Sequence, residues 1–323
     1  MATVKAKRVG PNSVQLTVPI PVSSDGTAGR KCPECRRYFK VDGKRLASTA
    51  TLWCAYCGAT SKKDRFLTLD QRRRLRSAAA KWAYAEVHRM ISGVFGTGRS
   101  IDAGLVRVSF EVGRAETIPL LSYVERETGR LLTCNSCGAL SASYGVAIFC
   151  PFCGRRDTRE TFAQSIRAAR TALETVSTLG MEMRLQLQAS GGEDRLVENI
   201  LGDAVTAFEF YCRAVYSEHA GESALTALLD ARGRNVFQRL DEAVDLIGTL
   251  LNRDLTPTLE TPDWTALRLA FATRHVLTHN FGLADAQFVR TTATGVVGQR
   301  VQVTRTFAER TLTRVERLAN AMA

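Results

Sequence analysis

Long apolar runs, histidine and lysine are all scarce in this 323-residue chain. No stretch of about 18 consecutive apolar residues occurs, so no membrane-spanning helix is expected. The opening MATVKAKRVGPNSVQLTVPIPV lacks the apolar core of a secretion signal. A cytoplasmic protein with no membrane partner is therefore expected. Low-complexity tracts are missing too, and 45% hydrophobic with 24% charged residues is the make-up of a folded chain. Lysine numbers eight against 36 arginines and stops at Lys81, a bias that a GC-rich genome explains more readily than a demand for guanidinium chemistry. Only four histidines are present, so two of them inside TRHVLTHN, residues 273–280, need an explanation.

The net charge of +12 is unevenly distributed. Residues 1–100 hold 20 basic and 6 acidic side chains while the remainder holds 24 and 26, so the whole excess lies in the first third. KCPECRRYFK, DGKRL, SKKDR and DQRRRLR are its main clusters. A localised basic surface is the footprint of a phosphate-rich partner. RNA or another nucleic acid is expected there, contacted by Arg36, Arg37, Arg72, Arg73, Arg74 and Arg76, with Tyr38, Phe39, Trp53 and Tyr56 available for stacking. The competing reading is a solvated face that aids solubility.

Cysteine carries the strongest signal. Eight of nine cysteines form four C-x-x-C pairs, Cys32/Cys35 with Cys54/Cys57 and Cys134/Cys137 with Cys150/Cys153. A two-residue gap lets both thiolates of a knuckle reach one ion, and two knuckles complete a tetrahedral sulfur shell. Two structural zinc ions per chain are expected, one per doublet. Proline inside or glycine just after the knuckles in CPEC, CAYCG, CNSCG and CPFCG suits the tight turn that aims backbone N–H groups at sulfur. Disulfides are the rival, but a cytosolic chain keeps them reduced. Both segments resemble zinc ribbons, the second above all in its FCPFCG ending. Cys212, alone in FEFYCRAVY, reads as a small buried hydrophobe.

These markers give a multidomain α+β fold: two small four-cysteine zinc ribbons with helical connectors, then an all-α bundle. The expected divisions are 1–66, ribbon one with a β-prone lead; 67–98, a basic connector helix closed by the GTG at 96–98; 99–155, ribbon two; 156–190, a second connector helix; and 191–323, the helical domain. Within the last, helices are expected over 194–216, 222–230 and 233–252, followed by a loop, LTPTLETPDW. ETPDWTALRLAFATRHVLTHNFG then reads as a helix of about 18 residues, Thr261 capping it, Pro262 first, and Asn280 with Gly282 closing it. At 100° per residue this helix is apolar on most sides. Arg268, His275 and His279 share a narrow polar strip, while Arg274 falls in the larger apolar sector, where a guanidinium is costly without a partner or a task.

Three readings of TRHVLTHN compete. The histidines are satisfied polar residues and Arg274 half of an ion pair; or His275 and His279, at i and i+4, bind a metal with Asp285 nearby; or histidine moves protons while arginine stabilises an anionic transition state on a phosphodiester. RHVLTHNFGLADAQFVR, followed by the β-prone GVVGQRVQV and the helix FAERTLTRVERLANAM, resembles the catalytic end of HEPN-domain ribonucleases over about 130 residues. That resemblance implies an endoribonuclease whose helical bundles form a homodimer, bringing two motifs into one cleft. It implies cleavage by the RNA 2′-hydroxyl with no catalytic metal. Arg274 and His279 are then the catalytic pair, Asn280 supports them, and His275 fills a polar position often held by Asn. The resemblance also implies a place in bacterial defence or toxin–antitoxin systems, with an antitoxin or defence protein as a further partner. Arg274 and His279 are five residues apart, about 140° on a regular helix. One active site then needs unwinding of the last turn, for which NFG offers a place, or residues from two copies. The alternative function is a non-catalytic zinc-ribbon adaptor or regulator that binds nucleic acid and dimerises through its helical domain.

Overall fold

The computed structural model describes residues 4–11, 13–95, 99–102, 107–110, 119–126 and 130–322. The chain divides into two compact units, one of residues 1–144 with 149–155, the other of 145–148 with 156–323. No helix among the described residues is long and apolar enough to cross a membrane.

The first unit is built from hairpins. β1 (Lys5–Gly10) and β2 (Ser13–Thr17) pair with each other. β3 (Thr27–Lys31) and β4 (Tyr38–Asp42) flank the first knuckle, and the short α1 (Gly43–Ser48) follows, capped by Asp42. β5 (Thr51–Trp53) and β6 (Thr60–Lys62) flank the second. α2 (Leu69–Phe95) opens with a reciprocal cap in which Thr68 Oγ1 accepts from Gln71 N–H and Gln71 Oε1 accepts from Thr68 N–H. The GTG expected to close it lies outside the described residues. β7 (Arg99–Asp102) pairs with β8 (Arg107–Phe110), and β9 (Arg130–Thr133) with β10 (Leu140–Ser143) flanks the third knuckle.

The two cysteine segments share one sheet. β4 pairs antiparallel with β10, with Phe39, Lys40 and Val41 opposite Ser143, Ala142 and Ser141, which gives the order β3-β4-β10-β9. The fourth knuckle packs on the second: Trp53 N–H donates to Pro151 C=O, and Phe149 N–H to Ala55 C=O. Gly154 has φ +70°, and a Cβ there would lie 2.6 Å from the Trp53 ring, so glycine is required on both counts. The divisions expected at 1–66, 67–98 and 99–155 thus fall, apart from residues 145–148, within one compact unit whose core holds Phe39, Val41, Leu52, Phe66 and Ala142.

The second unit is helical: α3 (Thr158–Thr178), α4 (Met181–Ala189), α5 (Gly192–Ala220), α6 (Glu222–Arg232), α7 (Leu240–Leu251), α8 (Thr261–His279), α9 (Ala286–Thr292) and α10 (Arg305–Ala321). Short 3-10 turns at 236–238 and 256–258 bracket α7. α3 is part of the bundle rather than a connector, because Phe162, Ile166 and Leu173 enter the same core as Leu201, Phe208 and Val215 of α5, Ile247 of α7, Leu267 and Phe271 of α8, and Leu312 and Val315 of α10. Phe208 meets Phe271 edge to face, centroids 5.9 Å apart. Cys212 is fully buried in that core. GVVGQRVQV forms no strand. Gly295 and Gly298 take positive φ, and the segment is held by single backbone bonds, Val301 N–H to Gly282 C=O and Ala284 N–H to Gln299 C=O.

Candidate functional site

The hairpin geometry brings each cysteine doublet together. Cys32, Cys35, Cys54 and Cys57 form one group, Cys134, Cys137, Cys150 and Cys153 the other, with all four Sγ atoms of each within 4.8 Å of one another. The closest pairs are Cys32–Cys57 at 3.7 Å, Cys35–Cys54 at 3.6 Å, Cys134–Cys153 at 3.8 Å and Cys137–Cys150 at 3.6 Å, far beyond a disulfide bond. Tyr56 N–H points at Cys54 Sγ and Phe152 N–H at Cys150 Sγ. Burial pushes the Cys54 and Cys150 thiols up, so a cation is what favours their ionisation. Each group could hold one metal ion.

Three knuckles place a left-handed glycine after the second cysteine, Gly58, Gly138 and Gly154, whose N–H returns to the carbonyl of the first. In the first knuckle that place is taken by Arg36, left-handed at φ 59° and exposed. The neighbouring Arg37 lays its guanidinium 3.6 Å from the Tyr56 ring centroid and donates to Tyr144 C=O. On α2, Arg72 donates to Arg65 C=O, Arg73 faces Asp70 at 3.8 Å, and Arg76 is exposed with no polar partner among the described residues. Arg74 is different: its guanidinium donates to the carbonyls of Pro19 and Leu121 and so ties α2 to its own unit. The stacking rings are largely committed elsewhere. Phe39 and Tyr56 are buried, Trp53 packs on Gly154, and Tyr38 donates to Glu125.

In the second unit, α8 remains helical through His279, and Asn280 is its C-cap, so the last turn is not unwound. Val276 C=O accepts from both Asn280 N–H and Gly282 N–H, while the Asn280 side chain donates to Leu283 C=O. His275 and His279 are exposed with ring centroids 4.8 Å apart. Asp285, the nearby carboxylate, caps α9 by accepting from Phe288 N–H. No third histidine, cysteine or carboxylate ligand atom joins the two histidines among the described residues. Arg268 pairs instead with Asp241 at 2.9 Å.

Arg274 is half-buried and has found a partner, donating from Nη1 to Gln238 Oε1 at 3.1 Å, while Gln238 donates to Glu209. Its other side opens on a cavity of about 530 Å³ between α5 and α8, lined also by Asn199, Asp203, Thr278 and Phe281. Asp203 has no ion-pair partner among the described residues, and desolvation by its surroundings raises its pKa. His275 lines a different cavity, of about 410 Å³, with Gln238, Asp241, Arg268 and Asp285. His279 lines neither. Comparison with protein-family models, curated proteins and solved structures finds no match. Asn199 and Asp203 were not singled out in the sequence. They lie on α5, some 70 residues before the motif, and no local spacing signals them.

Proposed function

We propose that the chain is a homodimeric endoribonuclease of the HEPN type, holding two structural zinc ions and capturing RNA with its basic first unit. The sulfur spacings support zinc. A tetrahedral four-thiolate shell with bonds of about 2.3 Å has edges of about 3.8 Å, and the closest pairs measure 3.6 to 3.8 Å. Cysteine thiolate is also the ligand zinc favours in closed structural sites.

The observation that carries the catalytic reading is Arg274. A half-buried guanidinium that is hydrogen-bonded to Gln238 and lines a polar cavity is suited to an anionic phosphodiester, and two exposed histidines lie in the last turns of the same helix. Because α8 stays helical through His279, Arg274 of one copy and His279 of another would make up each site. Phe281 is 85% exposed beside His279, and Leu283, Val296 and Val297 are exposed nearby, an apolar patch of the kind a second bundle would cover. In this mechanism His279 shuttles protons to and from the RNA 2′-hydroxyl and the leaving 5′-oxygen, and Arg274 neutralises the charge that builds on the phosphorus oxygens. His275 orients its neighbour.

The adaptor reading draws on a specific observation as well: Arg274 already has a hydrogen-bond partner, and His279 lines no cavity within one copy. RNA substrates separate the two. A 2′-deoxy nucleotide at the cleaved position should block the reaction, EDTA should not while both cysteine groups keep their zinc, and products should end in a 2′,3′-cyclic phosphate. Cleavage of the deoxy substrate, or no cleavage of any RNA, returns the bundle to a dimerising role.

A further inference from the structure

The first unit contains a second polar constellation, away from the cysteines. A cavity of about 480 Å³ is lined by Ser23, Asp25, Lys40, Tyr123, Val124 and Glu125, among others. That volume falls within the roughly 300–1,000 Å³ of small-ligand pockets. Lys40, one of the lining residues, is only 2% exposed, yet among the described residues its ammonium makes a single hydrogen bond, to Ser23 Oγ at 2.7 Å, with Asp25 Oδ2 at 3.8 Å. A buried ammonium has three donors, and leaving two unmatched is costly.

The carboxylates are as deliberately placed. Asp25 Oδ1 accepts from Thr27 N–H and Oγ1, which leaves Oδ2 beside Lys40. Burial alone would raise the Asp25 pKa, but Thr27 and Lys40 hold it below the ordinary value, so the group is an acceptor at neutral pH. Glu125 accepts from Tyr38 Oη, Tyr123 Oη and Gln71 Nε2. Gly29 makes room for this arrangement, since a Cβ there would lie within 2.4 Å of both Glu125 and Tyr38 oxygens.

Two carboxylates against one ammonium disfavour a phosphate, and the ammonium disfavours a metal cation. What complements the set is a neutral edge with an acceptor next to paired donors. Guanine presents that order, O6 followed by N1–H and N2–H, whereas adenine offers a single exocyclic donor beside an acceptor.

We propose that this cavity binds a guanine base, Lys40 donating to O6 and Asp25 accepting from the N1–H and N2–H side, with Tyr123 and Val124 lining its wall. Presented by RNA, the base would give the basic first unit a sequence preference that phosphate contacts cannot supply; this much rests on the RNA reading above. A free guanine nucleotide would use the same edge.

The test uses the full chain loaded with zinc and short, cleavage-resistant 2′-O-methyl oligouridines carrying a central guanosine, adenosine or inosine, with GMP and AMP as competitors, read by fluorescence anisotropy. Guanosine should bind roughly 5- to 150-fold tighter than adenosine, the span expected of one bidentate base contact. Inosine, which lacks the N2 amine, should fall between. Asp25→Asn keeps an acceptor for Thr27 and should erase the preference, as should Lys40→Met. Displacement by GMP but not AMP assigns the pocket to free nucleotide as well as RNA; displacement by neither, with the oligomer preference intact, assigns it to RNA. Binding of GMP over AMP without any RNA binding would keep the pocket and remove the RNA reading. Equal binding of guanosine and adenosine oligomers with no GMP preference, or a preference that survives Asp25→Asn, overturns the proposal and leaves the ribonuclease reading to its own assay.

Discussion

At the scale of single residues, Arg36 is the clearest departure from local preference. Its three counterparts are glycines, so the arginine bears the steric cost of left-handed backbone, roughly 1 to 2 kcal/mol for a side chain with a Cβ. Arg36→Gly should therefore raise the stability of the first unit by about 1 kcal/mol in denaturant melts, while weakening RNA binding. A gain in stability with unchanged affinity would make the arginine incidental. In the bundle, His279→Ala should lower cleavage about 10²- to 10⁴-fold, and Arg274→Ala by roughly 10²- to 10³-fold, with helicity and oligomeric state retained. His275→Ala should be milder, and single-turnover assays would rank the three. The motif itself was legible because histidines are rare in this chain, and two of them four residues apart beside an arginine in an apolar sector stand out on a helical wheel. Gln238 was not, since the residue that relieves the Arg274 guanidinium sits 36 positions away and is chosen by packing alone.

At the scale of elements, α2 and α8 lie close to where periodicity and terminal residues put them, because both carry strong local signals: a Thr68–Gln71 cap in one, a proline within the first turn of the other, although Glu260 rather than Thr261 is the N-cap of α8 and makes no side-chain capping bond. α3 was legible as a helix but not as a core element. Its apolar stripe shows that some face is buried and says nothing of which partner buries it. GVVGQRVQV failed for a local reason, two glycines in positive φ that extended pairing cannot absorb. α2 also separates two kinds of arginine that the sequence could not. Arg74 is engaged with two carbonyls of its own unit, whereas Arg73 and Arg76 face outward. Charge reversal at Arg73 and Arg76 should weaken RNA binding and flatten its dependence on log salt by roughly 0.7 for each single-strand phosphate no longer neutralised. The same change at Arg74 should instead lower the melting temperature. An unaltered salt slope for the first pair would make that face of α2 a solubilising surface only.

At the scale of the whole molecule, two cysteine groups predict two zinc ions per chain, measured by elemental analysis, each worth on the order of 10 to 16 kcal/mol of apparent binding energy. Strong chelators should unfold the first unit and leave most of the helical signal of the second, whose core contains no ligand cysteine; simultaneous loss of both would mean that the units do not fold apart. The doubled cysteine spacing made the metal groups readable from the chain alone. It concealed the sheet that unites them, because pairing between positions around 40 and 142 leaves no trace in local pattern. That pairing has a practical consequence for anyone dividing the protein. A fragment ending after α2 would retain a complete four-cysteine group and look self-sufficient, yet the edge of β4 that β10 normally occupies would be bare. Its unpaired N–H and C=O groups would seek another strand, and the first available is the same edge of a second fragment, so such a piece should self-associate or precipitate even when fully metallated.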